Sequence, residues 1–398
     1  MKIENPIWQT CPAVKEIIRL LKGKARLVGG CVRDSLLGKI PDDIDMATEF
    51  KPAAVIGILK KRGFTVLPTG FLYGTVTVLT KDLRFPTIEI TTLRKDLRHD
   101  RRRPKVTYTK SWQEDSMRRD FTFNALYADF DGTVYDFCGG LEDLKNGRVR
   151  FIGDPAERIR EDQVRILRYF RFLSVFRDEP DMQTIEACQA VKSKLFSERM
   201  RREFFRLLSV PNAMYGLKIM QQAGLLKQYC SDPDLDSLER LLQIKPMAAP
   251  LLRLLVLTDL SEEAAAALAD LWQLPKAPRR EIMHIASFDR TKEPADYTEN
   301  DFFRFALYFK AQERDLVFSL LQAKEPDRHW EKIQDNPALN TVHSKPFRFS
   351  RTDLSENIEK NTAKKLVAQV YEYWLSTNGR AGRKELLQYA QKLNRILD

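Results

Sequence analysis

An α+β fold, with a mixed-sheet N-terminal domain followed by an all-helical remainder, is what this 398-residue sequence predicts. As far as about Arg150, short β-rich runs alternate with turn residues and helical patterns. Beyond it the β-rich runs almost vanish and a helical period continues to the C-terminus. The length exceeds what one core ordinarily serves and suits two to four domains. With 43% hydrophobic and 30% charged residues, the composition is that of a folded globular chain.

Strands are expected over Ala25–Val28, Phe64–Leu67, Gly74–Leu79, Thr87–Thr91 and Leu126–Asp129, where β-branched and apolar residues are bounded by turn formers. Helices are expected between them over Cys31–Leu37 and Ala53–Arg62. After Arg150 the period predicts helices over Glu157–Phe176, Met182–Leu195, Glu198–Leu208 and Asn212–Ala223, and prolines near Pro246–Pro250, Pro275–Pro278 and Pro337 suggest sub-boundaries. No repeat argues for a solenoid.

Lys and Arg number 66 against 55 Asp and Glu, a net +11. The excess favours a polyanionic partner, nucleic acid first, although a basic surface also serves solubility alone. Cys11, Cys31, Cys138, Cys188 and Cys230 are far apart and form no CxxC pair, so free thiols are expected rather than a zinc site or disulfide framework. His99-Asp100, the single His-Asp doublet, lies in a basic segment without companions, which argues against a metal phosphohydrolase. No charged-then-apolar leader opens the chain, and the most apolar stretch, Met247–Leu260, is broken by Pro250 and Arg253. A cytoplasmic location is expected, with no membrane span.

The first stretch with chemical content is Leu27-Val-Gly-Gly-Cys-Val-Arg-Asp34, a strand, two glycines and a helix start. Glycines let a phosphate approach the backbone, and an arginine in the first turn neutralises it. A tight strand–helix turn explains the same residues. Asp42-Asp-Ile-Asp45 sharpens the choice: Asp43 and Asp45, two apart on a strand, share a face while Ile44 packs behind. Paired carboxylates can hold one or two Mg²⁺ that bridge phosphates and activate a hydroxyl. Glu89, between Ile88 and Ile90, is a candidate third carboxylate or an exposed strand residue.

Arg94–Arg103 is too polar for a core and reads as a mobile loop that contacts phosphate, or as a solvated loop only. Arg118-Arg-Asp-Phe-Thr-Phe-Asn124 sets two arginines and an aspartate beside an apolar alternation, which suits a phosphate or sugar contact. In Glu157–Phe172, Asp162, Arg165, Arg168 and Arg171 recur every three residues along one helical ridge, and Val164, Leu167, Phe170 and Leu173 form another. Such a helix can bury its apolar ridge and line a cleft with the charged one, as salt-bridged solvent helices also do.

In this order the motifs resemble those of class II tRNA nucleotidyltransferases, the CCA-adding enzymes, and of the bacterial poly(A) polymerases that share their head domain. The resemblance runs from about Arg26 to Leu208 through Gly29-Gly-Cys-Val-Arg-Asp34, Asp43-Ile-Asp45, Arg118–Leu126, Asp136–Leu144, Glu161–Arg168 and Glu198–Glu203. It implies a polymerase-β-like nucleotidyltransferase head over residues 1–150, a nucleotide-selecting helical neck over 151–210, a helical body over 211–335 and an RNA-binding tail over 336–398. It implies that Asp43 and Asp45 bind catalytic Mg²⁺, two ions, with Glu89 as the accessory catalytic carboxylate. Gly30 and Arg33 would hold the triphosphate, and Arg119, Asp162, Arg165, Arg168 and Arg171 would contact the incoming nucleotide.

The implied reaction is template-independent addition of C, C and A to the 3′ end of tRNA from CTP and ATP, with release of pyrophosphate. Lys192, Lys194, Arg199, Arg201 and Arg202, clustered without an aromatic stacking platform, are expected to hold the tRNA through phosphates. No protein partner is implied. A poly(A) polymerase or a partial CC- or A-adding enzyme is the alternative within the family; a non-catalytic RNA-binding protein or a small-molecule nucleotidyltransferase is the alternative outside it.

Overall fold

The computed structural model describes residues 1–96, 106–191, 197–288, 290–291, 293–298, 301, 305–306, 308–309, 311–334, 339, 347, 349–354, 358, 360–377 and 380–397. The chain forms two compact units, residues 1–228 and 229–398.

In the first unit, β1 (Ala25–Val28), β2 (Ile44–Thr48), β3 (Thr65–Gly70), β4 (Thr75–Leu79), β5 (Thr87–Thr92), β8 (Leu126–Ala128) and β9 (Val134–Asp136) make a seven-stranded sheet in the order β3-β4-β5-β2-β1-β8-β9. Only β2 and β5 run parallel within it. Leu27, Ile44, Met46, Val76, Val78, Ile88 and Ile90 are all buried, and α2 (Gly30–Leu36) and α3 (Pro52–Lys60) pack on these strands. Alternation therefore places Asp45 and Glu89 on the opposite face. There Ala47 joins Val28, Leu93 and Tyr127 in an apolar cluster. That face is thus apolar beside β1 and β8 and acidic at the start of β2.

The basic segment begins differently from the expected loop. Arg94–Asp96 (β6) pairs antiparallel with Val106–Tyr108 (β7), and the Arg94 N–H donates to Asp115 Oδ1 at 3.1 Å. Backbone pairing and one carboxylate, not side-chain polarity, decide the conformation there. Residues 97–103 of the segment lie outside the described residues.

The expected Glu157–Phe176 helix is also corrected. It is two helices, α6 (Pro155–Glu161) and α7 (Val164–Phe176), because Asp162 is extended at φ −153° and ψ 106°. Asp162 Oδ1 instead accepts the Val164 N–H at 3.2 Å, the local turn that a short acidic side chain makes with the backbone two residues on. Asp162 therefore leaves the ridge that Arg165, Arg168 and Arg171 keep. Val164, Leu167, Phe170 and Leu173 are buried as expected, but so are Ile166, Tyr169 and Phe172. Aromatic contacts of Phe121 and Phe123 with Phe172, and of Phe151 with Tyr169, weld α7 to the sheet domain.

α1 (Pro12–Leu20), α4 (Trp112–Met117), α5 (Gly140–Asn146), α8 (Met182–Gln189), α9 (Glu198–Ser209) and α10 (Ala213–Gln222) complete the α-helices of the unit. A Cβ on Gly216 would stand 2.4 Å from Phe170 O, so only glycine lets α10 approach α7 this closely. The second unit is helical: α11 (Leu235–Ile244), α12 (Pro250–Val256), α13 (Glu262–Leu271), α14 (Lys276–Ala286), α15 (Ala311–Lys324), α16 (Glu331–Gln334), α17 (Lys360–Ser376) and α18 (Arg383–Leu397). Pro250 and Pro275 mark helix starts, where a missing N–H costs nothing. Among the described residues no helix is long and apolar enough to cross a membrane.

Candidate active site

Asp45 on β2 lies directly opposite Glu89 on the parallel strand β5, and Glu89 lies opposite Thr77 on β4. Asp43 immediately precedes β2 and is exposed, with Ile44 buried behind it. Burial, then the charges of Asp43 and Glu89, push the Asp45 carboxyl up to about 7, and Arg119 opposes them only partly. Among the described residues no group of three or more His, Cys, Asp or Glu side chains is arranged to hold a metal ion by itself. A cation at Asp43 and Asp45 would thus complete its coordination with water or substrate oxygens.

A cleft of about 190 Å³ opens here, lined by Asp45, Thr75, Glu89, Thr91, Arg94, Arg118 and Arg119 among others. The two neighbouring arginines are anchored by Asp115, one helical turn earlier: Arg118 Nη2 lies 2.8 Å from Oδ1 and Arg119 Nη2 3.2 Å from Oδ2. Tyr127 Oη donates to the same Oδ2 at 2.7 Å.

Gly29 has φ +77°, a left-handed conformation suited to glycine, and a Cβ there would stand 3.6 Å from Arg119 Nη1. A Cβ on Gly30 would stand 3.9 Å from Asp43 Oδ1 and 3.8 Å from Arg33 Nη2. The glycine pair is therefore where the acidic and basic groups converge. Asp45, Glu89 and Arg119, far apart in sequence, line one cleft, and Asp43 and Arg33 meet beside Gly30.

The family model for the poly A polymerase head domain matches residues 25–150. The CCA-adding enzyme of Streptococcus gordonii is 30% identical over 351 residues, 85% of this chain and 84% of its own. The chain belongs to the CCA-adding enzyme family. The mitochondrial CCA tRNA nucleotidyltransferase 1 of Danio rerio is 35% identical over 245 residues, and the match spans about half, 56%, of that relative's length. The crystal structure of the Bacillus stearothermophilus CCA-adding enzyme in complex with CTP superposes with a TM-score of 0.71 at 26% identity, covering 99% of both chains.

In this member of the CCA-adding enzyme family the arginines of α7 are matched to carboxylates. Arg168 Nε donates to Asp120 Oδ2 at 2.6 Å, and Arg171 donates to the buried Glu203, which also lies 3.8 Å from Arg168 Nη1. Arg165 Nη1 donates to Glu161 at 2.6 Å and to Arg158 O at 2.8 Å, and its Nη2 reaches Arg118 O at 3.4 Å. Asp162 pairs with Arg199 of α9 at 2.7 Å. Asp162 and Arg165, expected one helical step apart, thus flank the α6–α7 break, each with its own partner.

Of the expected RNA contacts, Arg199 and Arg202 are exposed on α9, and Arg202 lies 3.9 Å from Glu198; Arg201 is half-buried on the same helix. Lys192 and Lys194 lie outside the described residues. Asp115 and Tyr127 are site-forming residues that sequence reasoning missed. The spacing of Asp115 to Arg118 and Arg119, three and four along a helix, was the available signal.

Burial raises the Asp115 and Asp120 carboxyls, but the facing guanidiniums, Arg119 and Arg118 for one and Arg168 for the other, outweigh it and hold each at about 2. A depressed folded-state pKa gives stability that is complete above the ordinary value of 3.8 and is lost as pH falls towards 2. Urea unfolding between pH 5 and pH 2 should therefore show a loss of about 2 kcal/mol for each of the pair. Asp115→Asn and Asp120→Asn should each remove their share of that loss, and a profile unchanged by both would contradict the two ion pairs.

Proposed function

We propose that this chain adds C, C and A to the 3′ end of tRNA from CTP and ATP, releasing pyrophosphate, as a magnesium-dependent cytoplasmic enzyme. The observation that supports the reading is the meeting of Asp45, Glu89 and Arg119 on one cleft, with Asp43 and Arg33 together beside Gly30. Asp45 is under-neutralised within the protein, and a divalent cation held by Asp43 and Asp45 suits that donor set. Mg²⁺ bound there would supply Lewis-acid charge at the reacting phosphate and favour ionisation of the attacking hydroxyl.

The chain's own residues do the rest. Gly30 lets the triphosphate approach, Arg33 and Arg119 neutralise it, and Glu89 keeps the carboxylate edge acidic. Asp162 and Arg165 read the base, with Arg168 and Arg171 shaping the nucleotide's bed and α9 holding RNA phosphates through Arg199, Arg201 and Arg202. In this reading residues 1–150 are the head, 151–210 the neck, 211–335 the body and 336–398 the tail. The relatives' names and the CTP-bound neighbour support it; the head match suits a poly(A) polymerase as well. The purified chain, given tRNA lacking its last three nucleotides, should incorporate C and A and leave UTP and GTP unused. No incorporation from any of the four would overturn the proposal.

A further inference from the structure

Asn124 is only 6% exposed, and its carboxamide stands between two charged groups. Oδ1 accepts from Arg33 Nη1 at 2.7 Å, Nδ2 donates to Asp120 Oδ1 at 3.1 Å, and the other Asp120 oxygen accepts from Arg168 Nε at 2.6 Å. Chemistry fixes the amide's orientation. Turned over, its NH₂ would face a guanidinium and its oxygen a carboxylate.

Asparagine joins an acceptor and a donor on one short planar group, which this position needs. Aspartate would set two carboxylates together, and an apolar residue would leave both charges short of a partner. The remaining donors of Arg33 are thereby aimed. Nε and Nη2 each give a hydrogen to Asp34, at 2.9 and 2.8 Å, and Nη1 gives one to Asn124. One hydrogen on each Nη is left, and Nη2 is the atom beside Gly30.

We propose that Asn124 is a positioning residue that couples Arg33, at the phosphate end of the site, to Arg168 on α7. A nucleotide gripped at one arginine is thereby registered at the other. This rests on the reading of Arg33 and Arg168 as nucleotide contacts.

The test is calorimetric binding of CTP and ATP with Mg²⁺ to the full chain and to its variants. Asn124→Ala should weaken binding roughly tenfold and raise KM more than it lowers kcat. Asn124→Asp, nearly the same shape, keeps the acceptor for Arg33 but loses the donor for Asp120. It should weaken binding to a similar degree, and it serves if the alanine variant does not fold. In an Arg33→Ala background, Asn124→Ala should add less than about twofold, because residues acting as a unit are not additive. Wild-type binding by both Asn124 variants, or a full tenfold loss repeated without Arg33, would overturn the coupling. If Arg33→Ala alone binds both nucleotides as tightly as wild type, the nucleotide reading of Arg33 falls, and the coupling with it.

Discussion

Replacing Asp43 or Asp45 with alanine should leave the fold intact and slow nucleotide transfer by about a hundredfold or more, some 2.7 kcal/mol of barrier. The two carboxylates do little for the folded chain. Asp43 is exposed, and Asp45 is half-buried beside two other carboxylates. A carboxyl raised from 3.8 to about 7 opposes folding at neutral pH, by roughly a few kcal/mol. Asp45→Ala should therefore melt no lower than wild type while losing activity. Such a separation distinguishes a chemical role from a structural one. A folded Asp43→Ala variant that transfers nucleotides at more than about a hundredth of the wild-type rate would remove Asp43 from the chemistry.

Asp162→Asn should relax discrimination against UTP and GTP by about tenfold or more, with little change in stability. A carboxylate accepts from the exocyclic amino group of C or A, whereas U and G present a carbonyl at that place. Asparagine still accepts the Val164 N–H but can turn a donor towards that carbonyl. Arg165→Ala should widen selectivity in the same assay, since its guanidinium lies between α6 and Arg118 of the cleft wall. Incorporation ratios unchanged at undiminished rate would leave Asp162 only its turn onto Val164 and its pair with Arg199.

The strands that pack apolar side chains were legible: Ala25–Val28 is β1 to the residue, and β4, β5 and β8 differ from expectation by a residue at an end. β6 and β7 were not, because charged side chains hide a backbone pairing. The break at Asp162 was hidden for a related reason. The helical period holds on both sides of it, and only the competition of its side chain for the Val164 N–H stops the helix.

Asp43, Asp45 and Glu89 were visible as alternating acidic positions, but their meeting depends on the parallel pairing of β2 with β5, which no local pattern specifies. The arginine ridge was legible as charged, but the carboxylates it meets were not. Its counter-charges, Asp120 and Glu203, stand 48 and 32 residues from the arginines they meet. The change in composition at Arg150 is real, yet the first compact unit continues to Gln228, because α7 is welded to the sheet domain by aromatic contacts.

The product of the reaction distinguishes CCA addition from every other transfer to an RNA end. The full chain, incubated with CTP, ATP and Mg²⁺ and a tRNA lacking its last three nucleotides, should yield RNA extended by C, C and A and then stop, as read by sequencing of the 3′ ends. A run of A residues added without C, or a tail that keeps growing, would rule out CCA addition by this chain.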